Sequence, residues 1–314
     1  MKTPSPILIT GGNGNLGRLV AAQFEALGAS VIAFDLPGSE GAHSQARKAV
    51  VLGDVRDKAL LEQTILEHQP AAVVHLASLL SGSSAANPDL AWEVNATASF
   101  NLMQLALEYV PGPFVFASTT VTYGTGLPAH LPEDAPQWPT TIYGATKVAV
   151  ERAGHWQRSR GLDFRCIRFP MVLSPDAPAG AVTAYPSHAF WAAARGEDFI
   201  FPVSPETGMT TLFLADVTRS LVEFTCADAA GIKQPGYNIH AFHFTAAELA
   251  ERLAQAFPGF SYSFEPKSEV DAMIAAWPNS MATESAQADW GWQVGYDFDA
   301  TFEAMVEIVK GAAG

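Results

Sequence analysis

Three glycines, spaced three residues apart, follow directly on a short apolar run near the N-terminus. The apolar run is Ile7-Leu8-Ile9, and the glycines are Gly11, Gly14 and Gly17. In a strand-to-helix turn with this spacing, we assign the tight turn to Gly11, the close approach of a phosphate to Gly14 and helix-to-strand packing to Gly17. Glycine clusters also occur in turns that bind nothing, so the surrounding residues decide the interpretation.

The residue that ends the next strand indicates which dinucleotide the turn binds. The helix that starts after the turn aims free backbone amides, such as those of Asn15 and Leu16, at a pyrophosphate. Asp35 lies 18 residues after Gly17, where a carboxylate accepts hydrogen bonds from the adenosine ribose and repels the extra phosphate of NADP. No Arg or Lys follows Asp35 until Arg47. We therefore predict NAD as the cofactor.

Asp54 and Val55 follow the third predicted strand, at the position expected for the adenine. Asp54 is a candidate for hydrogen bonding to the adenine edge, with Val55 beside it. A helix-capping role for Asp54 is an equal alternative, because Asp is among the preferred N-cap residues.

Short apolar runs rich in β-branched residues alternate with longer segments of helical period, as is typical of a parallel sheet covered by helices. The predicted strands are near residues 7–10, 30–35, 49–52, 72–76, 114–118 and 164–169. The predicted helices are near residues 15–27, 58–68, 89–109 and 142–160. Since the strands are almost continuously apolar, both faces of the sheet should be covered. The sequence therefore predicts an α/β fold with a Rossmann-like, doubly wound parallel sheet.

The residue composition changes after about Phe169, where prolines and glycines become frequent. We therefore expect an NAD-binding Rossmann domain over residues 1–170, to which later segments can return, and a smaller, mainly substrate-binding lobe over residues 171–314. In that lobe Thr245, followed three residues later by Glu248, has the spacing of a capping box and predicts a helix that ends near Phe257.

The charge balance and the apolar pattern exclude several classes of partner. The chain has 18 Lys and Arg against 32 Asp and Glu, a net charge of -14, which argues against nucleic acid or an anionic membrane surface. No apolar run approaches the ~20 residues of a membrane span. Cys166 and Cys226 lack the spacing of a metal or redox motif, so we expect buried free thiols and no metal site. These features favour a cytoplasmic protein.

Tyr143 and Lys147 stand four residues apart at the start of a predicted helix, so they lie on the same helical face. A neighbouring ammonium favours the phenolate, so we expect the pKa of Tyr143 to fall toward working pH, where the phenolate can take a proton. The positive charge of oxidised nicotinamide acts in the same direction. Because such a pair also occurs on ordinary exposed helices, a second element is needed.

That element is a group of hydroxyl residues where the fifth predicted strand ends: Ser118, Thr119, Thr120 and Thr122. In open α/β sheets, ligands bind at the carboxyl ends of the strands, so we expect Thr119 to hydrogen-bond the reacting oxygen. Thr120 and Thr122 are expected to satisfy local turn amides instead.

These motifs together resemble those of the extended short-chain dehydrogenase/reductase superfamily over about the first 170 residues. The resemblance is carried by Thr10 to Gly17, Asp54, His75-Leu76-Ala77, Asn95, Ser118-Thr119, Tyr123-Gly124, and Tyr143 with Lys147. It implies a catalytic set of Thr119, Tyr143 and Lys147, with Asn95 as a supporting residue. It also implies that the cofactor is lined by Leu76, Ala77 and Ser78 and, near the nicotinamide, by Pro170 and Val172.

Several segments resemble more narrowly the short-chain type of L-threonine 3-dehydrogenase: residues 139–144, 236–239, 244–245, 277–280 and 289–292. Members of that group have two threonines, an aspartate and a tyrosine where this chain reads Gly180-Ala181-Val182-Thr183-Ala184-Tyr185. The resemblance implies an enzyme that oxidises a secondary alcohol of a small hydroxy or amino acid. Val182 and Ala184 imply weaker recognition of an ammonium group, since a buried charge needs a partner.

Three alternatives remain open from the residues. Residues 80–82 and 202–207 resemble sugar-acid dehydrogenases of the erythronate type. The superfamily also contains nucleotide-sugar epimerases, since one fold hosts several reactions. A non-catalytic NAD sensor is the third, and the intact set of Thr119, Tyr143 and Lys147 argues against it.

Polar residues near the expected crevice are candidates for contacts with the small-molecule substrate, each with a structural role as its alternative. They are Ser81, Ser118, Thr119, Tyr143 and Thr183, with Trp277 as a wall or lid. By resemblance to the superfamily, the apolar faces of the predicted helices 89–109 and 142–160 imply a homodimer. Packing against the core explains the same faces.

Overall fold

The computed structural model of the chain describes residues 2–39, 49–177 and 182–313. Arg47 and Gly180-Ala181, which entered the sequence interpretation, lie outside the described residues. The strands are β1 (Ile7–Thr10), β2 (Val31–Asp35), β3 (Ala49–Leu52), β4 (Ala72–His75), β5 (Phe114–Thr119), β6 (His130–Leu131), β7 (Phe164–Phe169), β8 (Met171–Leu173), β9 (Phe199–Phe201), β10 (Gly208–Phe213), β11 (Tyr237–Asn238), β12 (Phe242–Thr245), β13 (Tyr262–Phe264) and β14 (Ser280–Met281). The helices are α1 (Asn15–Ala26), α2 (Lys58–His68), α3 (Ser81–Ala86), α4 (Pro88–Ala91), α5 (Ala98–Tyr109), α6 (Ile142–Arg158), α7 (Tyr185–Arg195), α8 (Leu214–Cys226), α9 (Ala246–Ala256), α10 (Ser268–Ala275), α11 (Glu284–Trp290) and α12 (Phe298–Ala313).

Seven parallel strands form the central sheet in the order β11-β7-β5-β4-β1-β2-β3. Strand β1 lies in the interior of this sheet, with Ile7 opposite Val31 of β2 on one side and Ala72 of β4 on the other. The strand order therefore reverses between β1 and β4. In sheets of this kind, ligands bind in the crevice beyond the carboxyl ends of the strands at that reversal. The predicted doubly wound α/β fold is confirmed.

Helices cover the sheet on both faces, as the apolar strands require. On one face, Phe24 of α1 and Leu221 of α8 pack against the strands. On the other face, Leu61 of α2 and Met103 of α5 do the same. Edge strand β3 is only partly buried because it has a neighbour on one side alone.

Two segments from the second half of the chain return to the central sheet and its covering helices. Strand β11 pairs with β7, and α8 packs against α1. The other late elements build a lobe around the three-stranded sheet β12-β10-β8, with Phe190, Phe244 and Leu249 among its fully buried core residues. Helix α9 of this lobe begins with the predicted capping box, in which Thr245 Oγ1 accepts from the Glu248 amide (3.2 Å) and Glu248 Oε2 from the Thr245 amide (2.7 Å).

The predicted helix over residues 89–109 is interrupted in the structure. A π-helical turn, Trp92–Thr97, lies between α4 and α5. Single π-helical turns are frequent at functional sites, and this one carries Asn95. Cys166 is buried and Cys226 partly buried, and both are free thiols. Over the described residues, no helix combines the length and apolar character needed to cross a membrane.

Candidate active site

The glycine turn is shaped by close backbone contacts between β1 and α1. Gly11 has a φ of +69°, a conformation that favours glycine, and a side chain at Gly17 would overlap the carbonyl oxygen of Gly11. A Cβ at Gly14 would meet only the Gly11 oxygen, at 3.2 Å. The side-chain space of Gly14 is therefore open on the side away from the turn, which fits the close approach of a pyrophosphate.

The N-terminus of α1 leaves its first amides available. Gly14 is the N-cap residue and supplies no side-chain acceptor, so the amides of Asn15 and Leu16 have no cap. The Asn15 side chain donates to Ser174 Oγ (3.4 Å), which connects the start of α1 to the chain just after β8. Uncapped amides at a helix N-terminus suit the two phosphates of NAD.

Asp35 ends β2 beside the glycine turn. Its Oδ2 accepts a hydrogen bond from the Asn13 amide (2.8 Å), and its Oδ1 accepts one from the Leu36 amide (2.8 Å). Each oxygen keeps a lone pair for a ribose hydroxyl. The carboxylate thus stiffens the turn and fits NAD at the same position.

Asp54 does not cap a helix. Its carboxylate pairs with Arg56 (2.7 Å), and Asp57 is the residue that caps α2 by accepting from the Leu60 amide (3.0 Å). The capping alternative for Asp54 is therefore wrong, because the helix begins one turn later. Arg56 lowers the pKa of Asp54 through a hydrogen bond. Val55 beside it is buried in the core.

The segment after β4 lies against the glycine turn. The Leu76 amide donates to the Thr10 carbonyl (3.0 Å), and a Cβ at Gly11 would meet Ala77 N at 2.9 Å. Asn95 then holds the following residues, since its Oδ1 accepts from the Leu79 amide (2.7 Å) and its Nδ2 donates to the Leu79 carbonyl (3.0 Å). Ser78 lies between these two fixed points. Asn95 acts here through the backbone that borders the cofactor crevice.

His75 links the glycine turn to the π-helical turn, a connection that sequence reasoning missed. Its Nδ1 accepts from Thr10 Oγ1 (2.6 Å), and its Nε2 donates to Ser99 Oγ (2.7 Å), whose own proton goes to the Asn95 carbonyl (2.6 Å). Complete burial, together with the nearby charge of Lys147, lowers the pKa of His75 to about 3. The imidazole is therefore neutral, as this set of partners requires.

Tyr143 and Lys147 lie on the first two turns of α6. Thr141 caps this helix by accepting from the Gly144 amide (3.1 Å), which fixes where the helix begins. Lys147 Nζ donates to the Ala117 carbonyl of β5 (2.9 Å) and lies 4.6 Å from the centre of the Phe116 ring. Helix α6 is thereby tied to the end of β5.

The pKa of Tyr143 differs from the expected one. Burial raises it to about 12, because an ionised phenol loses more solvation than the lysine returns from a nitrogen 5.6 Å from the ring centre. Burial also lowers the pKa of Lys147 to about 8. The expected depression of the tyrosine pKa is therefore wrong for the lysine acting alone.

Thr119 ends β5 and caps the 3-10 turn Thr120–Tyr123. Its Oγ1 accepts a long hydrogen bond from the Val121 amide (3.3 Å), so its hydroxyl proton remains available for donation. Thr122 has a local partner, but it donates to the Thr119 carbonyl (2.8 Å), whereas a turn amide was predicted. A Cβ at Gly144 would meet Val121 O at 2.7 Å, so α6 packs closely on this turn. Thr119 and Tyr143 are therefore carried by two segments in direct contact.

Ser118 does not lie with Thr119, Tyr143 and Lys147. Its side chain is 4% exposed and donates to Glu151 Oε1 (2.5 Å), which also pairs with Arg168. Strand alternation explains the difference, because neighbouring residues of β5 point to opposite faces. The structure thus gives Ser118 an internal partner in place of the expected substrate.

The other predicted substrate residues lie around the crevice on separate elements. Ser81 is exposed at the start of α3, two residues after the segment held by Asn95. Thr183 lies half-buried on the 3-10 turn Val182–Ala184, and Ala184 is buried. Trp277 packs against the core of the second lobe. Their contacts with substrate remain predictions.

Pro170 and Val172 follow β7, on the segment that enters the second lobe. Pro170 is buried, and Val172 of β8 pairs with Leu212 of β10. Among the described residues, no group of three or more His, Cys, Asp or Glu side chains is arranged to hold a metal ion.

The strand order and the glycine turn are those of a dinucleotide-binding fold, and the family match and the relatives indicate an NAD-dependent enzyme that acts on a CH–OH group. The chain belongs to the NAD dependent epimerase/dehydratase family, whose model matches residues 7–239. The resemblance to extended short-chain dehydrogenases is thereby confirmed. The matched range includes β11, the late strand that returns to the sheet.

Curated and solved relatives extend over nearly the whole chain. The mitochondrial L-threonine 3-dehydrogenase of Sus scrofa is 31% identical, over 93% of this chain and 79% of the relative. An uncharacterised epimerase/dehydratase of Staphylococcus saprophyticus is 27% identical, over 97% of each. The solved L-threonine dehydrogenase of Clostridium difficile superposes with a TM-score of 0.91 at 26% identity, over 99% of each chain. The holo form of the GalE-like L-threonine dehydrogenase of Cupriavidus necator gives 0.88 at 28% identity, over 98% of this chain and 99% of that one.

Proposed function

We propose that the chain is an L-threonine 3-dehydrogenase-like oxidoreductase, which oxidises the secondary alcohol of a small hydroxy or amino acid with NAD. The observation that carries this proposal is the attachment of Tyr143 and Lys147 to the end of β5 through the Ala117 carbonyl. That attachment supports the proposal that Tyr143 acts as a proton acceptor near Thr119, at the edge of the sheet where the cofactor crevice opens. Relatives described as L-threonine dehydrogenases support the substrate class.

The proposed chemistry divides between three side chains. Thr119 donates its free hydroxyl proton to the substrate oxygen and orients it, and Tyr143 accepts the proton of the substrate hydroxyl. Lys147 holds positive charge beside the phenol, which favours the phenolate, and is proposed to bind the nicotinamide ribose. Bound oxidised NAD would supply the hydride acceptor for the carbinol carbon and a second positive charge near the phenol. General-base catalysis of this kind contributes about 10² to 10⁴ in rate.

The cofactor is proposed to lie along the residues that the sequence motifs assign to it, at the carboxyl edge of the sheet. They are Gly11, Gly14, Asn15, Leu16, Gly17, Asp35, Asp54, Val55, Leu76, Ala77, Ser78, Asn95, Tyr143, Lys147, Pro170 and Val172. Asp35 supports NAD over NADP, because its carboxylate would repel the extra phosphate of NADP.

The substrate is proposed to lack a strongly recognised ammonium group. Ala184 is buried, so a cationic group beside it would have no carboxylate partner from that position. Thr183, Ser81 and Trp277 remain the proposed contacts on the substrate side. The sugar-acid alternative loses part of its support, because Ser204 and Thr207 of the resembling segment donate to Asp271 (2.6 and 2.5 Å).

A screen for NADH formation tests this proposal. The purified protein is incubated with NAD and L-threonine, its stereoisomers, 3-hydroxybutanoate and small sugar acids, and absorbance at the reduced nicotinamide band is followed. We expect turnover with a 3-hydroxy or 3-hydroxy-2-amino acid. No NADH from any of them would contradict the proposal.

A nucleotide-sugar epimerase is the second candidate, because the family description includes epimerases. Such an enzyme keeps its cofactor and releases no net NADH. Interconversion of nucleotide sugars without NADH formation would favour it over the dehydrogenase.

We further propose a homodimer formed through α5 and α6. Trp92 and Trp156 are 47% and 50% exposed, and Phe100 of α5 stacks on Trp156. Aromatic side chains exposed on neighbouring helices are typical of subunit contacts. Sedimentation tests this proposal: the wild type should be a dimer and Trp156→Glu a monomer.

We also propose that the protein is located in the reducing cytoplasm. The two free thiols support this location, and cell fractionation would test it.

A further inference from the structure

We infer that a buried group formed by Ser118, Glu151 and Arg168 positions Thr119 relative to Tyr143. None of the three touches the proposed substrate or cofactor; they act through the backbone that carries the catalytic residues. The inference rests on the proposed function, because it assumes that Thr119 and Tyr143 act on one substrate oxygen. We call the three residues the buried ion-pair group.

The carboxylate of Glu151 is the centre of this group. It accepts from Ser118 Oγ (2.5 Å), from Gln137 Nε2 (2.9 Å) and from Arg168 Nε and Nη2 (3.0 and 2.7 Å). Glu151 is 2% exposed and Arg168 is 4% exposed. A buried charge with this many donors is fixed in position, because moving it would leave several polar groups unpaired.

The donors come from the segments whose relative placement matters for catalysis. Glu151 lies on α6 one turn after Lys147 and two turns after Tyr143, so all three share a helical face. Ser118 is the residue before Thr119 on β5, and it pairs in register with Arg168 on β7. The hydrogen bond from Ser118 to Glu151 therefore joins the end of β5 directly to the catalytic helix.

Arg168 is held equally firmly on its other side. Its Nη1 donates to Tyr123 OH (3.0 Å), and Tyr123 donates to Asn238 Oδ1 of β11 (2.7 Å). A Cβ at Gly236 would lie 2.8 Å from Arg168 Nη2, so the guanidinium occupies space that only glycine leaves free. Arg168 therefore cannot shift away from Glu151 without disturbing the 3-10 turn at Tyr123 and strand β11.

The buried ion-pair group contributes more to the geometry of the site than to the stability of the fold. A buried ion pair contributes little net stability, because desolvation offsets most of the attraction, and apolar residues often replace it at no cost. A displacement of about 1 Å in a catalytic group costs about 10²-fold in rate. The group is therefore worth more to the alignment of Thr119 and Tyr143 than to folding.

Ser118→Ala tests the inference most simply, because it removes the tie to β5 and leaves the Glu151–Arg168 pair intact. We expect kcat to fall by about tenfold or more, with the KM of the substrate and the Kd of NADH within about twofold of wild type. Ser220→Ala is the matched control, since Ser220 is equally buried and donates only within α8, to the Val217 carbonyl. It should leave kcat unchanged.

A second variant separates alignment from stability. Glu151→Leu combined with Arg168→Met replaces the pair by apolar side chains, and we expect the melting temperature to be retained while kcat stays about tenfold or more below wild type. Wild-type kcat in Ser118→Ala or in the double variant would overturn the inference. A raised KM with unchanged kcat in Ser118→Ala would also overturn it and make Ser118 a substrate contact. Tyr143→Phe, assayed alongside, reports separately on the proposed function.

Discussion

The ammonium nitrogen of Lys147 lies 5.6 Å from the centre of the Tyr143 ring while it donates a hydrogen bond to the Ala117 carbonyl at 2.9 Å. The Lys147 nitrogen thus contacts both helix α6 and strand β5 and fixes their separation at this point. Because both groups are buried, the surroundings oppose charge on each, and the pKa of Tyr143 is raised while that of Lys147 is lowered. The proposed catalytic pair is therefore buried at a cost in stability.

The stability of the fold is expected to depend on pH through the buried ammonium of Lys147. The folded-state pKa of Lys147 is about 8, below its ordinary value of 10.5, so the unfolded chain binds this proton more tightly. The penalty is complete below pH 8 and disappears as the pH rises to about 10.5. Allowing for the lost hydrogen bond to Ala117, Lys147→Met should be roughly 2 kcal/mol more stable at pH 7. Urea unfolding at pH 7 and pH 10 measures this advantage, and a constant difference would contradict the burial of a charged lysine.

The second prediction separates two glycines of the same turn. Gly17→Ala should destabilise the fold by about 2 kcal/mol and abolish NAD binding, because the new Cβ overlaps the Gly11 carbonyl. Gly14→Ala should destabilise the fold less than Gly17→Ala and weaken NADH binding by about tenfold or more, since its Cβ meets only the Gly11 carbonyl oxygen, at 3.2 Å, and otherwise takes the space proposed for the pyrophosphate. Thermal melts and fluorescence titration with NADH check both. Equal NADH affinity in Gly14→Ala and wild type would place the pyrophosphate elsewhere.

The third prediction tests the substrate-side departure from the L-threonine 3-dehydrogenase pattern. A carboxylate at position 184 would offer a partner to a substrate ammonium, so Ala184→Asp should raise kcat/KM for L-threonine relative to 3-hydroxybutanoate by about tenfold. Some stability should be lost, because position 184 is buried. Ala184→Asn is the control of equal size without charge, and its substrate ratio should match wild type. An unchanged ratio in Ala184→Asp would mean that this position does not face the substrate.

Much of the fold could be predicted because its determinants are local. The strand near 7–10 and the glycines after it each impose their own geometry, and the capping box at Thr245 is read from two residues three apart. The strand β11 was not predicted, since a two-residue strand has too few residues to show a period. Its place in the sheet follows from pairing with β7, which the sequence alone does not show.

The site could be predicted only in part, for a related reason. Tyr143 and Lys147 are found from their spacing on one helix, but Ser118 was interpreted by its neighbours in sequence and proved to face the interior. Glu151 could have been identified as a neighbour of the site from the sequence, because it stands one helical turn after Lys147 on the same face. The pKa of Tyr143 could not be predicted, since burial depends on the whole fold and outweighs the one neighbour that the sequence shows.

The central claim, that the phenol of Tyr143 takes the proton of the substrate alcohol, is tested most directly by the rate of NADH formation in Tyr143→Phe. The substitution keeps the ring and removes only the oxygen. We predict that kcat falls by about 10³ while the Kd of NADH, measured by fluorescence on the same preparation, stays within about twofold of wild type. Turnover at the wild-type rate in this variant would contradict the claim.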